Sequence, residues 1–186
     1  MIAAGEITMY KYLYPTPEGF SDLWMTCDGD ALTGLWFEGS RDTAKHRTDC
    51  GERRAPGMED TIRWLDLYFA GQRPDFTPRY VLRGLTPFRK EVVDLILRIP
   101  YGEVVTYGRL AETLARAHSI PKMSARAVGG AVGWNPICLI IPCHRVVGTD
   151  GSLTGYGGGI GNKVALLRHE GLDMGRFTVP TRGTAL

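Results

Sequence analysis

Short β-favouring runs separated by turn residues fill the first part of the chain. The runs are rich in aliphatic and aromatic residues, and Pro, Gly and Asp lie between them, so the pattern predicts a hairpin or meander. The predicted strands are 9–14, 23–27 and 31–37. Residues 39–57 are polar and punctuated by Gly and Pro, which is typical of a surface loop. Apolar residues at helical spacing then predict a helix over 58–70, which Gly71 ends.

The second part of the chain has helical patterning. It follows a proline-containing connection at 72–84. Thr86 suits a helix cap and Pro87 the first helical position, and an apolar stripe follows them. Thr106 caps a second predicted helix and Ser124 a third. The last two helices are short and are joined by a short break, so they form a helix-turn-helix candidate, although helix pairs of this kind are common.

Two adjacent glycines, Gly129 and Gly130, lie inside the third of these helices. Each glycine costs about 1 kcal/mol of helix stability relative to alanine. A helix that accepts this cost twice indicates that its backbone approaches something closely. The residues alone favour a neighbouring helix and leave a nucleic-acid groove as the alternative.

Length and composition are ordinary for a globular protein. The 186 residues fit one domain or two small ones, with 44% hydrophobic and 23% charged residues. The four cysteines are scattered without a C-x-x-C pair, which favours free thiols in a reducing compartment over two disulfides. No signal peptide or membrane-length apolar run is recognisable, so we expect a cytoplasmic protein without a membrane partner.

The charge distribution is more informative than the net charge of +2. Residues 1–80 carry 9 Lys/Arg and 13 Asp/Glu, a net −4, whereas residues 81–145 carry 9 and 4, a net +5. An acidic first part joined to a basic second part indicates that only the second part meets a polyanion. Charge alone does not separate this interpretation from chance.

The dipeptide Cys143-His144 is the candidate for chemistry. The apolar run 139–141 predicts a short buried strand that stops at Pro142 and holds the thiol rigidly. A thiolate is the nucleophilic form of cysteine, and a nearby imidazole can take its proton. Neighbouring residues of a strand point to opposite faces, so the pair works only if the chain turns there or a water bridges the two groups.

Interpretations other than nucleophilic chemistry stay open at this point. An arbitrary Cys-His dipeptide is more often a buried structural cysteine followed by a core or surface histidine. A metal site that adds His169 lacks a recognised ligand spacing. The patterns around His46 and His118 indicate solvated side chains, and His169 is expected to be exposed.

A run of motifs in fixed order surrounds the dipeptide and resembles the O6-alkylguanine-DNA alkyltransferases, also called methylated-DNA–protein-cysteine methyltransferases. The resemblance is close over residues 82–172 and general in the first 80. Its motifs are Thr86-Pro87-Phe88, Ile99-Pro100-Tyr101-Gly102, Thr106-Tyr107-Gly108-Arg109-Leu110-Ala111, Ala125-Arg126-Ala127-Val128-Gly129, Asn135-Pro136, Ile141-Pro142-Cys143-His144-Arg145-Val146, Gly155-Tyr156-Gly157-Gly158-Gly159, Lys163 and Leu166-Leu167-Arg168-His169-Glu170-Gly171.

The resemblance implies an α+β protein with two parts. Residues 1–80 would form an N-terminal ribonuclease-H-like sheet-and-helix domain. Residues 81–186 would form a mainly helical DNA-binding alkyltransferase domain with a winged-helix-like helix-turn-helix and an active-site loop. The implied partner is double-stranded DNA containing O6-alkylguanine, bound through its minor groove, and thymine O4 lesions are left open. A monomer is expected, with cooperativity on DNA undecided.

The resemblance also implies a role for each matching residue in the chemistry. Cys143 would accept the alkyl group irreversibly, once per molecule. His144 would deprotonate it through a water, and Glu170 would orient the histidine. Tyr107 would donate a proton to the departing base and crowd a phosphate, and Asn135 would tie the helix to the active-site segment.

A second set of residues would bind DNA and the flipped base. Arg126 would enter the base stack, and the small residues near it would allow close approach, which now favours DNA over a helix neighbour beside the two glycines. The DNA-binding set is Tyr107, Ala125, Arg126, Gly129 and Gly130. The base-pocket set is Val146, Tyr156, Gly157 and Gly158. Arg145 is expected to be structural, held by carbonyls or a carboxylate.

Some positions depart from the family pattern. Gly157 stands where some members have a serine, and Trp134 stands where smaller or basic residues are common. Cys27 lacks the partners with which some members bind zinc, so no metal and no cofactor are expected. The cysteine-rich domain of regulator members is not recognisable, which implies the stand-alone type.

Three other functions compete with alkyl transfer. A lesion-binding DNA-damage sensor would lack the acceptor cysteine, which is present here as Cys143. A cysteine hydrolase would need an oxyanion hole and would not explain the basic helix-turn-helix. A transcription regulator would rest on the helix-turn-helix alone.

Overall fold

A four-stranded sheet forms the N-terminal half of the protein. The computed structural model describes residues 9–46 and 49–180. The strands are β1 (Tyr10–Tyr14), β2 (Leu23–Cys27), β3 (Leu32–Phe37) and β4 (Gly51–Glu52). Their order is β3-β2-β1-β4, with the first three antiparallel and β4 parallel to β1. The predicted meander is therefore present, and Gly29 makes its second turn possible with φ +101°.

The polar segment that was predicted to be a surface loop is partly ordered and partly buried. It contains a 3₁₀ turn at Arg41–Lys45, the added strand β4 and a second 3₁₀ turn at Pro56–Met58. The prediction of an exposed loop was wrong because polar residues of this segment form ion pairs and hydrogen bonds with other residues and become buried. Asp42, for example, is only 5% exposed and is paired with Lys45.

Helix α1 (Glu59–Phe69) packs its apolar face into the core. Ile62, Leu65 and Tyr68 are buried, as the spacing predicts. Gly71 follows the helix with φ +76°, a left-handed conformation that favours glycine at a helix end.

Four helices form the C-terminal half: α2 (Pro87–Ile96), α3 (Tyr107–Ala117), α4 (Ala125–Trp134) and α5 (Ile160–His169). The three predicted caps are present, because the side-chain oxygens of Thr86, Thr106 and Ser124 each accept a hydrogen bond from the backbone amide three residues later. Helices α3 and α4 pack on each other and α2 supports α4. Within the described ranges no helix is long and apolar enough to cross a bilayer.

The segment that leads to the candidate cysteine is a turn, and the strand predicted at 139–141 was wrong. Leu139 has φ +63°, a left-handed conformation that costs a non-glycine residue about 1–3 kcal/mol and is kept only when its surroundings demand it. The amide of Ile141 donates to the carbonyl of Ile137, which closes the turn. An apolar run is equally compatible with a buried strand and a buried turn, so the sequence pattern does not separate them.

Two short backbone pairings position this turn. Strand β5 (Val105–Thr106) pairs in parallel with β6 (Val146–Val147), which joins the start of α3 to the residues after the cysteine. On the other side, the amide of Leu35 in β3 donates to the carbonyl of Pro136 (2.9 Å), and Cys138 returns a bond to Leu35 (3.0 Å). The N-terminal sheet therefore supports the active-site segment directly, and one continuous hydrophobic core spans both halves.

The expectation of an exposed His169 was wrong. Its Nε2 lies 2.7 Å from the carbonyl oxygen of Tyr68, and its ring packs against Phe20 and Phe69. His169 is thus one of the contacts that join the end of α5 to the N-terminal half. The sequence around it gave no sign of this contact, because its partners come from two distant segments.

We expect Thr106→Ala to lower the free energy of unfolding by about 1 kcal/mol, because it leaves the Arg109 amide at the start of α3 without its acceptor. For a chain of this length this corresponds to a fall of about 2–4 °C in Tm. Thr113→Ala, inside the same helix, is the matched control and should change little. Equal losses in the two variants would contradict the capping role.

Candidate active site

Cys143 begins a 3₁₀ turn, Cys143–Arg145, directly after Pro142. The chain therefore turns at the Cys-His pair, which is the condition under which both side chains can serve one site. Cys143 is 7% exposed, and its Sγ accepts a hydrogen bond from Asn135 Nδ2 at 3.0 Å. His144 is completely buried behind it.

Asn135 joins the end of α4 to the turn that carries the thiol. Its Nδ2 also donates to the carbonyl of Ile141 (2.9 Å), and its Oδ1 accepts from the amide of Ile137 (3.0 Å). Because its amide group contacts the sulfur and both ends of the turn, the position of Cys143 depends on this one side chain. Aspartate at this position would lose the donor, and glutamine would carry the same amide group one methylene further from the backbone.

Glu170, which follows α5, is the electrostatic centre of the site. Its two oxygens accept hydrogen bonds from Tyr68 Oη (2.9 Å), His144 Nε2 (2.7 Å), Arg145 Nε (2.9 Å) and the Gly102 amide (3.1 Å). The Glu170 side chain is completely buried, so its carboxylate has no access to bulk solvent that would replace these donors. Arg145 also donates to the carbonyl of Ile99 at 2.8 Å, so it is held by a carboxylate and a carbonyl as expected.

These contacts determine the protonation states of the pair. Burial alone would raise the pKa of Glu170, but the hydrogen bonds from His144 and Arg145 and the charge of Arg145 outweigh it and hold that pKa well below its usual range. Burial lowers the pKa of His144, and the bond to Glu170 offsets this only in part. An ionised carboxylate only accepts, so His144 donates from Nε2 and keeps a lone pair on Nδ1. Within the described residues Nδ1 has no hydrogen-bond partner.

The thiol itself is held mainly in its protonated form. Burial raises the pKa of Cys143, while the bond from Asn135 lowers it. Asp42 adds a negative charge that raises the pKa further, and Lys45 and Lys163 oppose it. The site therefore needs a base or a change in these charges before the sulfur becomes a nucleophile.

A narrow cavity opens at the sulfur. It brings together four of the predicted site residues besides Cys143, namely Tyr107, Asn135, Tyr156 and Gly157, and also Asp42, Lys45, Val132, Gly133 and Gly155. Tyr107 Oη lies 3.4 Å from the carbonyl of Thr154, and burial followed by the charge of Cys143 raises its pKa to about 12. Tyr156 is 3% exposed, and in the described structure its hydroxyl has no partner.

Two other predicted pocket residues are not among those that line this cavity. Gly158 packs closely under the ring of Tyr156, where a Cβ would lie 2.6 Å from a ring carbon. The carbonyl of Val146 accepts a hydrogen bond from the buried Lys163 at 2.7 Å. Burial lowers the pKa of Lys163 to about 8.

Three of the predicted DNA-binding residues lie on the outer side of α4. Ala125, Arg126 and Gly130 are exposed, whereas Val128 and Val132 are buried on the opposite face. A Cβ on Gly130 would meet nothing within 4 Å. The outer face of α4 is consequently close to bare backbone with one arginine on it.

The two adjacent glycines of α4 have different surroundings. A Cβ on Gly129 would contact the ring of Tyr107 at 3.8 Å, an ordinary packing distance, whereas Gly130 faces open space. Arg126 does not line the cavity at Cys143 and is exposed on the surface of α4.

Several residues at the site were missed by sequence reasoning. Asp42 and Lys45 come from the polar segment of the N-terminal half, Tyr68 comes from α1, and Lys163 was noticed only as part of a motif. No local signal marks the first three, because each acts on a residue far away in the chain.

His46 and His118 were both expected to be solvated, and the structure separates them. The ring of His46 stacks on Trp36 with centroids 3.9 Å apart, and burial lowers its pKa to about 4, so for His46 the expectation was wrong. His118 is exposed as expected and pairs with Glu91. Across residues 9–46 and 49–180 no group of three or more His, Cys, Asp or Glu side chains is arranged to hold a metal ion.

Comparisons with known proteins cover both halves of the chain. The family model described as the 6-O-methylguanine DNA methyltransferase DNA-binding domain matches residues 87–172, and that of its ribonuclease-like domain matches residues 9–79. A methylated-DNA–protein-cysteine methyltransferase of Salmonella typhimurium is 40% identical over 167 residues, 84% of this chain and 92% of the relative. One of Mycobacterium tuberculosis is 49% identical over 116 residues, 62% of this chain and 67% of the relative.

Solved structures of such proteins also resemble this chain over most of its length. The crystal structure of Mycobacterium tuberculosis OGT in complex with DNA matches with a TM-score of 0.72 and 37% identity, covering 90% of this chain and 94% of that one. The O6-methylguanine-DNA methyltransferase of Pyrococcus kodakaraensis matches with a TM-score of 0.58 and 26% identity, over 88% and 99%. The mixed fold of sheet and helical halves described above is therefore shared with these proteins.

We expect Glu170→Gln to lower the free energy of unfolding by about 3–5 kcal/mol, because it leaves the buried Arg145 without its counter-charge. The wild-type pKa of Glu170 lies below its unfolded value of about 4.3, so its stabilisation is complete above that pH and is lost as the pH falls toward the folded pKa. The variant should lack this part of the acid sensitivity. Urea denaturation between neutral and acidic pH measures both effects.

Two further variants make the experiment on Glu170 decisive. Glu18→Gln, at an exposed carboxylate, is the matched control and should be nearly neutral. If Glu170→Gln does not fold, Tyr68→Phe removes one donor from the same carboxylate and should cost about 1 kcal/mol. Unchanged stability in both Glu170→Gln and Tyr68→Phe would contradict the central place given to this carboxylate.

Proposed function

The chain belongs to the 6-O-methylguanine DNA methyltransferase family, and from this membership we infer that it binds DNA and repairs alkylated bases by direct transfer of the alkyl group to one of its own cysteines. Its activity is that of a methylated-DNA–protein-cysteine methyltransferase. We propose Cys143 as the acceptor and O6-alkylguanine as the lesion. The observation that carries this proposal is the buried Cys143 with Asn135, His144 and Glu170 arranged around it.

The proposed reaction is a displacement at the alkyl carbon. His144, whose Nδ1 has a lone pair, takes the thiol proton through a water, and the resulting imidazolium is stabilised by Glu170. The sulfur forms a bond to the alkyl carbon, and the bond between that carbon and guanine O6 breaks. Tyr107 gives a proton to the departing base, which leaves as neutral guanine. The tyrosine is then reprotonated from the imidazolium or from solvent.

The product explains the stoichiometry of one reaction per protein. A thioether has no good leaving group, so Cys143 cannot be regenerated by the groups around it. The cysteine is therefore a consumed reagent, and no turnover is expected. No step in this scheme calls on a group from outside the chain other than water and the DNA.

We propose that α4 enters the minor groove of the double helix. Its outer face is nearly bare backbone at Ala125 and Gly130, which allows the close approach that a narrow groove demands. Arg126, exposed on this face, would take the place of the rotated nucleotide, which offsets part of the few kcal/mol that unstacking costs. Gly129 and Tyr107 form the contact between this face and the cavity.

The flipped base would occupy the cavity at Cys143. Tyr156 supplies an aromatic surface for stacking, and Gly157 lines the cavity beside it. We propose that the backbone groups of Val146 and Gly158, which are not among the residues that line the cavity, reach the edge of the base. The carbonyl of Val146 already accepts from Lys163, and its second lone pair remains for the base.

Two organisational proposals accompany this function. We propose that the chain divides near residue 80 into an N-terminal domain, 1–80, and a C-terminal domain, 81–186. The ranges of the two family models support this division. We propose further that the protein acts as a monomer, because the cavity and the outer face of α4 are each built from one chain.

We expect a single methyl group on Cys143 after the protein is mixed with duplex DNA containing O6-methylguanine, measured by intact mass and peptide mass spectrometry. The amount should be stoichiometric, because the thioether product ends the reaction. Cys143→Ala should show no transfer and should keep its DNA affinity, since the sulfur is buried away from the outer face of α4. Multiple turnovers, or an unmodified protein with tight binding as a lesion sensor would show, would overturn the proposal.

We expect Arg126→Ala to slow transfer from duplex DNA by about 10-fold to 100-fold, which corresponds to roughly 1.4–2.7 kcal/mol of the unstacking cost. Transfer from a single-stranded oligonucleotide should fall much less, because there is no partner strand to unpair. Arg98→Ala, at an exposed arginine after α2, is the matched control. Equal losses on duplex and single strand would reduce Arg126 to a phosphate contact.

A further inference from the structure

The cavity at Cys143 is partly filled by two side chains from the N-terminal half. Asp42 and Lys45 belong to the 3₁₀ turn at Arg41–Lys45, and both line the cavity. Lys45 Nζ lies 2.5 Å from Asp42 Oδ1 and donates to the carbonyl of Gly133 at 2.5 Å. The pair therefore bridges the N-terminal half and the last turn of α4 at the cavity that Cys143 also lines.

The space left beside this pair is too small for a nucleobase. The cavity has room for about one water molecule, about 10 Å³. Pockets for small organic ligands are usually larger by more than tenfold, about 300 Å³ and above. A guanine placed at Cys143 would have to displace something, and the contacts that hold the Asp42–Lys45 pair there are the polar ones given above.

Gly157 shows how closely the carboxylate enters the base pocket. A Cβ built on Gly157 would overlap the carboxylate of Asp42. Asp42 thus occupies the place that a side chain at position 157 would take, and a glycine there is what makes room for it. Arg41 reaches the same loop, with its guanidinium 3.5 Å from the carbonyl of Tyr156.

We propose that Asp42 and Lys45 form a removable plug that closes the base pocket of the DNA-free protein and withdraws when DNA docks on α4. The proposal rests on the function inferred above. It assigns to the N-terminal half a direct role in access to the active site. The plug limits the access of electrophiles to Cys143 until a lesion is presented, and it hinders the larger ones most.

The hydrogen bond from Lys45 to Gly133 links the plug to the helix on which DNA is proposed to dock. Gly133 belongs to α4, whose outer face is the proposed groove-binding surface. DNA phosphates that approach this helix compete for the Lys45 ammonium group with the Gly133 carbonyl and Asp42. Once Lys45 turns to a phosphate, Asp42 is a carboxylate without its cation in a buried pocket, which favours its exit to solvent.

Each reagent reacts only with the fraction of molecules whose pocket is open widely enough to admit it, so a plug slows a bulky reagent more than a small one. We therefore measure alkylation of Cys143 in the absence of DNA by peptide mass spectrometry, with iodoacetamide as a small reagent and N-phenylmaleimide as a bulky one. Asp42→Ala should react faster than wild type, by about tenfold with the bulky reagent. Glu38→Ala removes an exposed carboxylate near the same turn and should react at the wild-type rate.

The two reagents separate access from charge. Loss of the Asp42 charge alone would speed both reagents by the same factor, because both react with the thiolate, whereas removal of a plug speeds the bulky reagent more. Lys45→Ala, which releases the pair from Gly133, should give the same selective gain and serves if Asp42→Ala does not fold. Equal factors for the two reagents, or wild-type rates in both variants, would overturn the plug.

Transfer from DNA distinguishes a failed plug from a failed function. If wild type removes the methyl group from duplex DNA and the Asp42→Ala labelling is unchanged, only the plug is wrong. If wild type does not transfer the methyl group, the proposed function is wrong whatever the labelling shows. With a plug, Asp42→Ala should transfer from DNA at least as fast as wild type, and a slower transfer would make Asp42 a base-binding residue instead.

Discussion

A carboxylate buried without solvent must find all its partners within the protein, and Glu170 imposes this constraint on the whole site. Its donors come from α1, from the turn before β5 and from the segment that carries the cysteine. Each of those segments must therefore bring its donor group to the Glu170 carboxylate. The histidine beside the thiol receives its orientation and its tautomer from the same carboxylate, so folding and chemistry depend on one set of hydrogen bonds.

The N-terminal half serves the site through its sheet edge as well as through its core. Strand β3 accepts the segment before the cysteine by backbone hydrogen bonds at Leu35, and it accepts Tyr80 at Leu32 in the same way. Because backbone pairing holds the chain irrespective of side chains, the turn at Leu139 can adopt its unfavourable conformation and still be rigid. The sheet is in this sense a support for the reactive loop.

The outer face of α4 has the opposite requirement. For the groove binding proposed above, this face must lack side chains, and the glycines that leave it bare weaken the intrinsic stability of the helix. The loss is offset by the buried residues Val128 and Val132 and by the cap at Ser124. The result is a helix whose inner face packs and whose outer face is nearly bare, which is what the proposed groove binding requires.

Sequence alone determined the features that depend on neighbours in the chain, such as the caps at Thr86, Thr106 and Ser124, the strand runs and the ordered motif around Cys143. These patterns are readable because capping and periodicity act over a few residues. Only the tertiary structure decided that 139–141 is a turn, that His169 is packed and that Asp42 reaches Gly157. Each of those outcomes depends on contacts between segments far apart in the chain, which local pattern does not encode.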